Sequence, residues 1–371
     1  MLKIFALVGA RPNFIKAAAL ENAFRQHEKV NFKIVHTGQH SGQEMYSRFF
    51  EQLQLPRPYR EIALHSKVPH RMTAQIIHEF GDLLQSEQPD AVVLVGDVNS
   101  TLAGALAALK TGVPVAHVEA GLRCGDPKMP EESNRILTDR IARWLFATEA
   151  SAVDNLRREN VPEDRIHFTG NVMIDSLLWY LPLSRAQNVL QTLELQAGKY
   201  VLCTIHRDFN IGKREALAKI CEVLRDLSEA HPVVFPVHPN TAFWLHKFGL
   251  MESLQQSPGV RMLPPQGYLE FLNLQEHAAL VITDSGGVQE ESAFLQVPCL
   301  TYRPATERPV TLAVGGNQLV YHQSAQEIAQ IARAIIAQPE HKVSPENIPP
   351  MWDGMAAFRV ADILIQELSN S

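Results

Sequence analysis

The sequence predicts an α/β protein of two halves, each a parallel sheet with helices on both faces. Three observations point there. Short aliphatic runs bounded by glycine or proline alternate with segments whose apolar residues fall at helical spacing. The runs are mostly apolar, as strands buried on both faces are. The alternation starts again near Gly170, so the 371 residues divide into two halves, each long enough for its own core.

Leu2 to Val8 reads as the first strand. Gly9-Ala10-Arg11-Pro12 then turns into a helix with Ile15, Ala19 and Ala23 on one face. Phe32 to His36 is the next strand, followed by the polar turn Thr37-Gly38-Gln39-His40. Met72, Ile76, Phe80 and Leu84 mark a helix. Ala91 to Val95 is a strand ending at Gly96-Asp97. Leu102, Ala105, Leu106 and Leu109 form the stripe of the helix behind it, stopped by Gly112 and Pro114. Val113 to Val118 is a strand ending at Glu119, and Ile136, Leu137 and Ile141 mark a helix after MPEESNR.

The second half repeats the scheme. Tyr200 to Ile205, Val233 to Val237, Leu280 to Thr283 and Cys299 to Tyr302 read as strands, and Leu217, Ile220, Cys221 and Leu224 as a helical stripe. The expected domains are residues 1–170 and 171–355, with a last helix from about Ala356 packing back on the first. No Gly/Ser tract joins them, so they are expected to be packed rather than tethered.

Composition excludes several classes of function. Hydrophobic content of 46% and charged content of 20% are those of a soluble globular chain, and a net charge of −6 argues against nucleic-acid or membrane partners. The four cysteines are scattered without a CxxC, which gives neither a zinc site nor a disulfide framework. Ile4 to Ala10 is too short for a secretory signal, so a cytoplasmic protein is expected.

The stretch LVITDSGGVQEE, Leu280 to Glu291, carries the sharpest chemistry. A strand, then Ser285-Gly286-Gly287, then a helix start presents unpaired N–H groups and the positive end of a helix dipole to an anion. Asp284 and Ser285 read as helix N-caps. Glu290 and Glu291 read as first-turn acids, better suited to sugar hydroxyls than to a bare phosphate. An ordinary strand-to-helix turn is the alternative for this stretch taken alone.

Ligands of open parallel sheets bind beyond the carboxyl ends of the strands. Arg11, Asp97, Glu119, His206, His238 and Ser285 all fall at such ends, which predicts two sheets facing across one cleft. Each has a plainer reading. Asp97 could cap the following helix, Glu119 could pair with Arg123 or His117, Glu131 and Glu132 could serve only the dipole, and the histidines could be satisfied strand-end residues.

Together these stretches resemble the non-hydrolysing UDP-N-acetylglucosamine 2-epimerases across nearly the whole chain. The motifs are GARPNFIK (Gly9 to Lys16), GDVNST (Gly96 to Thr101), HVEAGLR (His117 to Arg123) and PEESNR (Pro130 to Arg135). TIHR (Thr204 to Arg207), PVHPN (Pro236 to Asn240), DSGGVQEE (Asp284 to Glu291) and TERP (Thr306 to Pro309) follow in the second half. The resemblance implies two Rossmann-like domains of the glycosyltransferase-B type. It also implies a homodimer that interconverts UDP-GlcNAc and UDP-ManNAc with neither NAD nor a metal.

Carried over by motif, Asp97, Glu119, Glu131 and His206 match the catalytic set. Arg11, Lys16, Ser285, Gly286 and Gly287 would hold the phosphates and Glu291 the ribose. Gln266 and Phe271 would lie near the uracil, and Arg308 near the sugar nucleotide. Gln39, Gln43, Arg207 and His238 would form a second, activating site. Two departures bear on the substrate: Asn13-Phe14 within the first motif, and Phe209 where many members have a glutamate. They leave room for a related substrate such as a UDP-2,3-diacetamido uronic acid. A glycosyltransferase or a UDP-sugar sensor is the more distant alternative, because neither requires so many carboxylates.

Overall fold

The computed structural model describes residues 1–38, 50–66, 68–127, 129–314, 316–338 and 348–370. The chain divides into one unit of Met1–Leu178 with Pro349–Ser371 and another of Trp179–Ile348.

The first unit is built on a parallel sheet of β1 (Leu2–Val8), β2 (Val30–His36), β3 (Arg60–Glu61), β4 (Ala91–Val95), β5 (Val115–Ala120), β6 (Trp144–Ala147) and β7 (Ile166–Phe168). Their order is β3-β2-β1-β4-β5-β6-β7. Every residue of β4 is buried, as a central strand covered on both faces requires. β3, β6 and β7 lie outside the expected runs. β6 follows its helix without a glycine or proline to mark it, and β3 is only two exposed residues long.

Helix Pro69–Glu87 buries the expected residues Met72, Ile76, Phe80 and Leu84. Two other helices correct the expected stripes. Helix Asn99–Thr111 buries Ala103, Gly104, Ala105, Ala107 and Ala108, whereas Leu109 is 53% exposed. The reason is a close approach to the sheet. A Cβ on Gly104 would lie 2.5 Å from a Leu7 methyl and 2.9 Å from one of Leu94, so the inward face must be small. Helix Pro130–Ile141 buries Glu132, Asn134, Arg135, Thr138 and Asp139 and leaves Leu137 exposed. Its inward face is polar because it packs over His117 of β5 and the Asp97 turn after β4. The last helix, Ala356–Ser369, packs on helix Arg11–Arg25, and its start is held by Asp175, whose carboxylate accepts the Ala357 N–H at 2.6 Å.

The second unit has a parallel sheet of β8 (Val201–Thr204), β9 (Val233–Pro236), β10 (Val260–Leu263), β11 (Leu280–Thr283), β12 (Cys299–Thr301) and β13 (Asn317–Leu319). The order is β10-β9-β8-β11-β12-β13. Leu217, Ile220, Cys221 and Leu224 pack as expected into the core behind β8 and β9. No helix of the described residues is long and apolar enough to cross a membrane.

Candidate functional site

Where strand order reverses in an open parallel sheet, the following helices run to opposite faces and leave a crevice beyond the strand ends. That point lies between β1 and β4 in the first unit and between β8 and β11 in the second. Residues singled out from the sequence flank both points.

In the first unit, Arg11 opens helix Arg11–Arg25 directly after β1. Its side chain lies outside the described residues, as do Gln39 and Gln43. Lys16, one turn further, is buried and forms a close ion pair with the Glu119 carboxylate. Glu119 therefore pairs with Lys16, a partner that the plainer reading of it, a pair with Arg123 or His117, did not name. It sits near the end of β5 at φ 71°, where the register with β6 shifts between Val118 and Ala120. Left-handed backbone at a non-glycine residue costs roughly 1–3 kcal/mol and collects at functional sites, where such bulges re-aim side chains. Gly96 makes the room. A Cβ there would stand 3.1 Å from a Glu119 carboxylate oxygen and 3.2 Å from the Asn13 amide nitrogen.

Asp97 follows Gly96, and Arg135 reaches its carboxylate. The N-cap of helix Asn99–Thr111 is Val98, whose side chain makes no cap bond. Glu131 lies in the first turn of helix Pro130–Ile141 and is partly exposed. Its neighbour Glu132 is buried, accepts N–H groups of Cys124 at 3.1 Å and Gly125 at 2.9 Å, and pairs with Arg135. Burial pushes the Glu132 carboxyl up, but these donors hold it below the usual range.

Beneath these groups lies a network the sequence reading did not single out. His117, fully buried on β5, contacts Asp139 at 2.6 Å through Nδ1 and the Gly96 carbonyl at 2.8 Å through Nε2. Asp139 also accepts the Gly121 N–H at 3.0 Å and pairs with Arg123 at 2.8 Å, while Arg123 reaches Glu159 at 2.7 Å. Complete burial pushes the Asp139 carboxyl up, yet His117 and Arg123 hold it below the usual range. The signal available was polar spacing: Glu132, Arg135 and Asp139 fall at i, i+3 and i+7, one face of a helix.

In the second unit, His206 follows β8. Its Nδ1 is 3.1 Å from the carboxylate of Asp284, which follows β11 and is fully buried. Asp284 also accepts the backbone N–H groups of His206 and Arg207 and the Asn210 amide. It ties the two strand ends at the reversal point together, instead of capping the next helix as expected. Burial pushes its carboxyl up, and His206 and the other donors hold it below the usual range. His238 caps helix Pro239–Lys247 by accepting the Asn240 N–H at 3.3 Å, and its ring centre is 6.0 Å from that of His206.

Helix Gly286–Leu295 starts at the glycine pair, with Ser285 at the N-cap and no side-chain cap bond. Glu290 and Glu291 correct the first-turn reading, since they lie in the second turn and face inward. Glu290 meets Arg308 at 2.8 Å, and Glu291 accepts the Tyr268 hydroxyl at 2.9 Å. Arg308 also pairs with Glu307 and lies against the helix start, where a Cβ on Gly286 would be 2.6 Å from its guanidinium. Gln266 precedes helix Tyr268–Glu276 and donates to the Pro264 carbonyl at 2.7 Å, whereas Phe271 packs in part on the core behind β11. Among the described residues no group of three or more histidine, cysteine or acidic side chains has the geometry to hold a metal ion.

The two arrangements place an acid–base cluster with a buried lysine in one unit, and a histidine and a helix start without a side-chain cap in the other. The sequence pattern of the UDP-N-acetylglucosamine 2-epimerase family matches residues 22–365. The chain is 40% identical over 368 residues to the UDP-N-acetylglucosamine 2-epimerase of Methanocaldococcus jannaschii, covering 98% of this chain and 99% of that one. It is also 40% identical over 367 residues to the UDP-2,3-diacetamido-2,3-dideoxy-D-glucuronate 2-epimerase of Pseudomonas aeruginosa, with the same coverage of 98% and 99%. The crystal structure of the Methanocaldococcus jannaschii UDP-GlcNAc 2-epimerase in complex with UDP-GlcNAc and UDP matches with a TM-score of 0.91 at 37% identity, covering 98% of this chain and 100% of that one. The fold class is thus the expected pair of Rossmann-like domains of the glycosyltransferase-B type. The chain belongs to the UDP-N-acetylglucosamine 2-epimerase family.

Proposed function

We propose that the protein is an isomerase that interconverts UDP-GlcNAc and UDP-ManNAc by inversion at C2. The observation that carries this is the buried Lys16–Glu119 pair beside the Asp97 turn at the reversal point of the first sheet. The family relationship supports it.

The C2 hydrogen of a 2-acetamido sugar has no adjoining ring carbonyl to acidify it, so it cannot be removed directly. Cleaving the C1–O bond, with the electron pair leaving on UDP, builds positive charge at C1. A carboxylate then takes the C2 proton, giving 2-acetamidoglucal and UDP by anti elimination. Protonation on the other face and re-addition of UDP complete the inversion. Asp97, Glu119 and Glu131 supply the acids and bases on the two faces. His206, Arg11, Lys16 and the Ser285-Gly286-Gly287 helix start stabilise the departing diphosphate. Glu291 takes the ribose, Gln266 and Phe271 the uracil, and Arg308 the sugar nucleotide. Gln39, Gln43, Arg207 and His238 serve a second, activating UDP-GlcNAc.

A related substrate is the second reading, favoured by the equal identity to the diacetamido uronate epimerase. Both substrates need the same C2 chemistry, and the product serves polysaccharide biosynthesis in either case. We place the enzyme in the cytoplasm, where thiols stay reduced, since all four cysteines are free. We take it as a homodimer, supported by the outward-facing Leu109 and Leu137 of the first unit.

The test is a panel of UDP-sugars followed by NMR in D2O. UDP-GlcNAc should give UDP-ManNAc carrying deuterium at C2, with slow leakage of UDP and the glucal. Exchange confined to a diacetamido uronic acid substrate would move the substrate and keep the chemistry. A panel in which nothing exchanges or epimerises would sink the enzyme reading.

A further inference from the structure

Both ring nitrogens of His117 face acceptors. Nδ1 is 2.6 Å from an Asp139 carboxylate oxygen, and Nε2 is 2.8 Å from the carbonyl of Gly96. A neutral imidazole donates from one nitrogen only, which would leave a lone pair against a lone pair at the other, inside a fully buried site. Two donated hydrogens satisfy both contacts. The surroundings balance the resulting charge. His117, Asp139, Arg123 and Glu159 form a chain of alternating sign linked at 2.6, 2.8 and 2.7 Å. Asp139 accepts the Gly121 N–H and pairs with Arg123 besides, the partners an ionised carboxylate takes.

The positions of these contacts give the residue its consequence. The Gly96 carbonyl belongs to the turn that carries Asp97, and the Gly96 N–H is bonded to the Val118 carbonyl at 3.1 Å. Glu119 follows Val118 in the left-handed conformation, with the register shift beside it. Asp139 accepts the Gly121 N–H at 3.0 Å, just beyond the strained segment, and belongs to the helix that carries Glu131. One imidazole thus fastens three chain segments, each bearing a carboxylate assigned to the reaction.

We propose that His117 is the positioning residue of the acid–base cluster, a doubly protonated imidazole that bridges the Gly96 carbonyl and Asp139 and so holds Asp97 and Glu119 in place. This rests on the proposed C2 chemistry for its consequence and on the geometry alone for its protonation. The charged and titratable groups around it are Asp139, Arg123 and Glu159, with the Lys16–Glu119 pair on the far side of the Gly96 turn.

The test has two arms on the full chain. Long-range 1H–15N NMR of uniformly labelled protein, with the signals of His117 assigned by their loss in His117→Gln, should show two protonated ring nitrogens in the parent. A bare nitrogen signal for His117 overturns the proposal whatever the enzyme's substrate. In the second arm, His117→Gln, whose N–H hydrogens sit on a single nitrogen and cannot reach both acceptors, should lower kcat by about 30-fold or more and leave KM within about threefold, the pattern of a lost transition-state interaction. Asp139→Asn should lower kcat similarly, and the double variant should be no worse than either single one, because the residues act as a unit. Parental kcat in a folded His117→Gln also overturns the positioning role. If that variant does not fold, the Asp139→Asn kinetics decide the positioning role, and the parent signals, assigned instead by their shift in Asp139→Asn, decide the protonation. A parent inactive on every UDP-sugar counts against the proposed function, and the NMR arm still decides the protonation.

Discussion

Glu119 carries two costs at once, a left-handed backbone at φ 71° and a buried carboxylate, and Lys16 offsets only the second. Breaking a buried ion pair from one side leaves a charge without its partner, which typically costs about 3–5 kcal/mol, whereas removing both charges is often near neutral. Lys16→Met should therefore destabilise the protein by a few kcal/mol, and Lys16→Met with Glu119→Gln should regain at least half of that loss. Urea unfolding of the three proteins measures it. A double variant as unstable as Lys16→Met alone would mean that the pair's charges do not set the stability of this turn. Some of this chemistry was legible beforehand, because strand-end position alone drew out Asp97, Glu119 and His206. Their partners were not, since Lys16 lies 103 residues from Glu119 and His206 lies 78 from Asp284. Asp284 was visible as a residue but read as a cap, because a short acid before a helix looks the same whether it faces its own helix or a neighbouring loop.

Elements were read best where apolar spacing and burial coincide, as in helix Pro69–Glu87, and worst where a helix presses on the sheet with small or polar residues. The last helix shows a different local device. Asp175 caps its start, yet the other carboxylate oxygen of Asp175 is buried and has no hydrogen-bond partner among the described residues. Burial raises its pKa from 3.8 to about 6, against the pull of the Ala356 and Ala357 N–H groups, with Asp353 raising it further and Arg359 lowering it. The folded state therefore holds this proton over a pH range where the unfolded chain has released it. That stabilisation is fully present below about pH 4 and is lost as pH rises through about 6, a change of at most about 3 kcal/mol. Asp175→Asn keeps a cap acceptor and removes the titration. The stability of the variant minus that of the parent should rise between pH 4 and 7 by up to this amount, read from denaturant midpoints at each pH. A flat difference would mean that Asp175 titrates alike in both states.

At the scale of the whole molecule, the two misread helices leave a consequence on the surface. Helices Asn99–Thr111 and Pro130–Ile141 pack against each other and turn their small or polar faces inward, so their leucines point outward. Leu109 is 53% exposed and Leu137 49%, with Leu102, Leu106, Ile136 and Ile141 only half-buried. Apolar area of this kind gains roughly 25 cal/mol per Å² when covered. A two-fold dimer would cover the same face on both copies, so each substitution acts twice. Leu109→Lys with Leu137→Lys places four new charges in such an interface and none in the core of either unit. Sedimentation velocity at micromolar concentration should then show a dimer for the parent and a monomer for the variant, with the far-UV circular dichroism of the two alike. A variant that still sediments as a dimer would move the contact to another face, and a monomeric parent would remove the dimer from the proposed function.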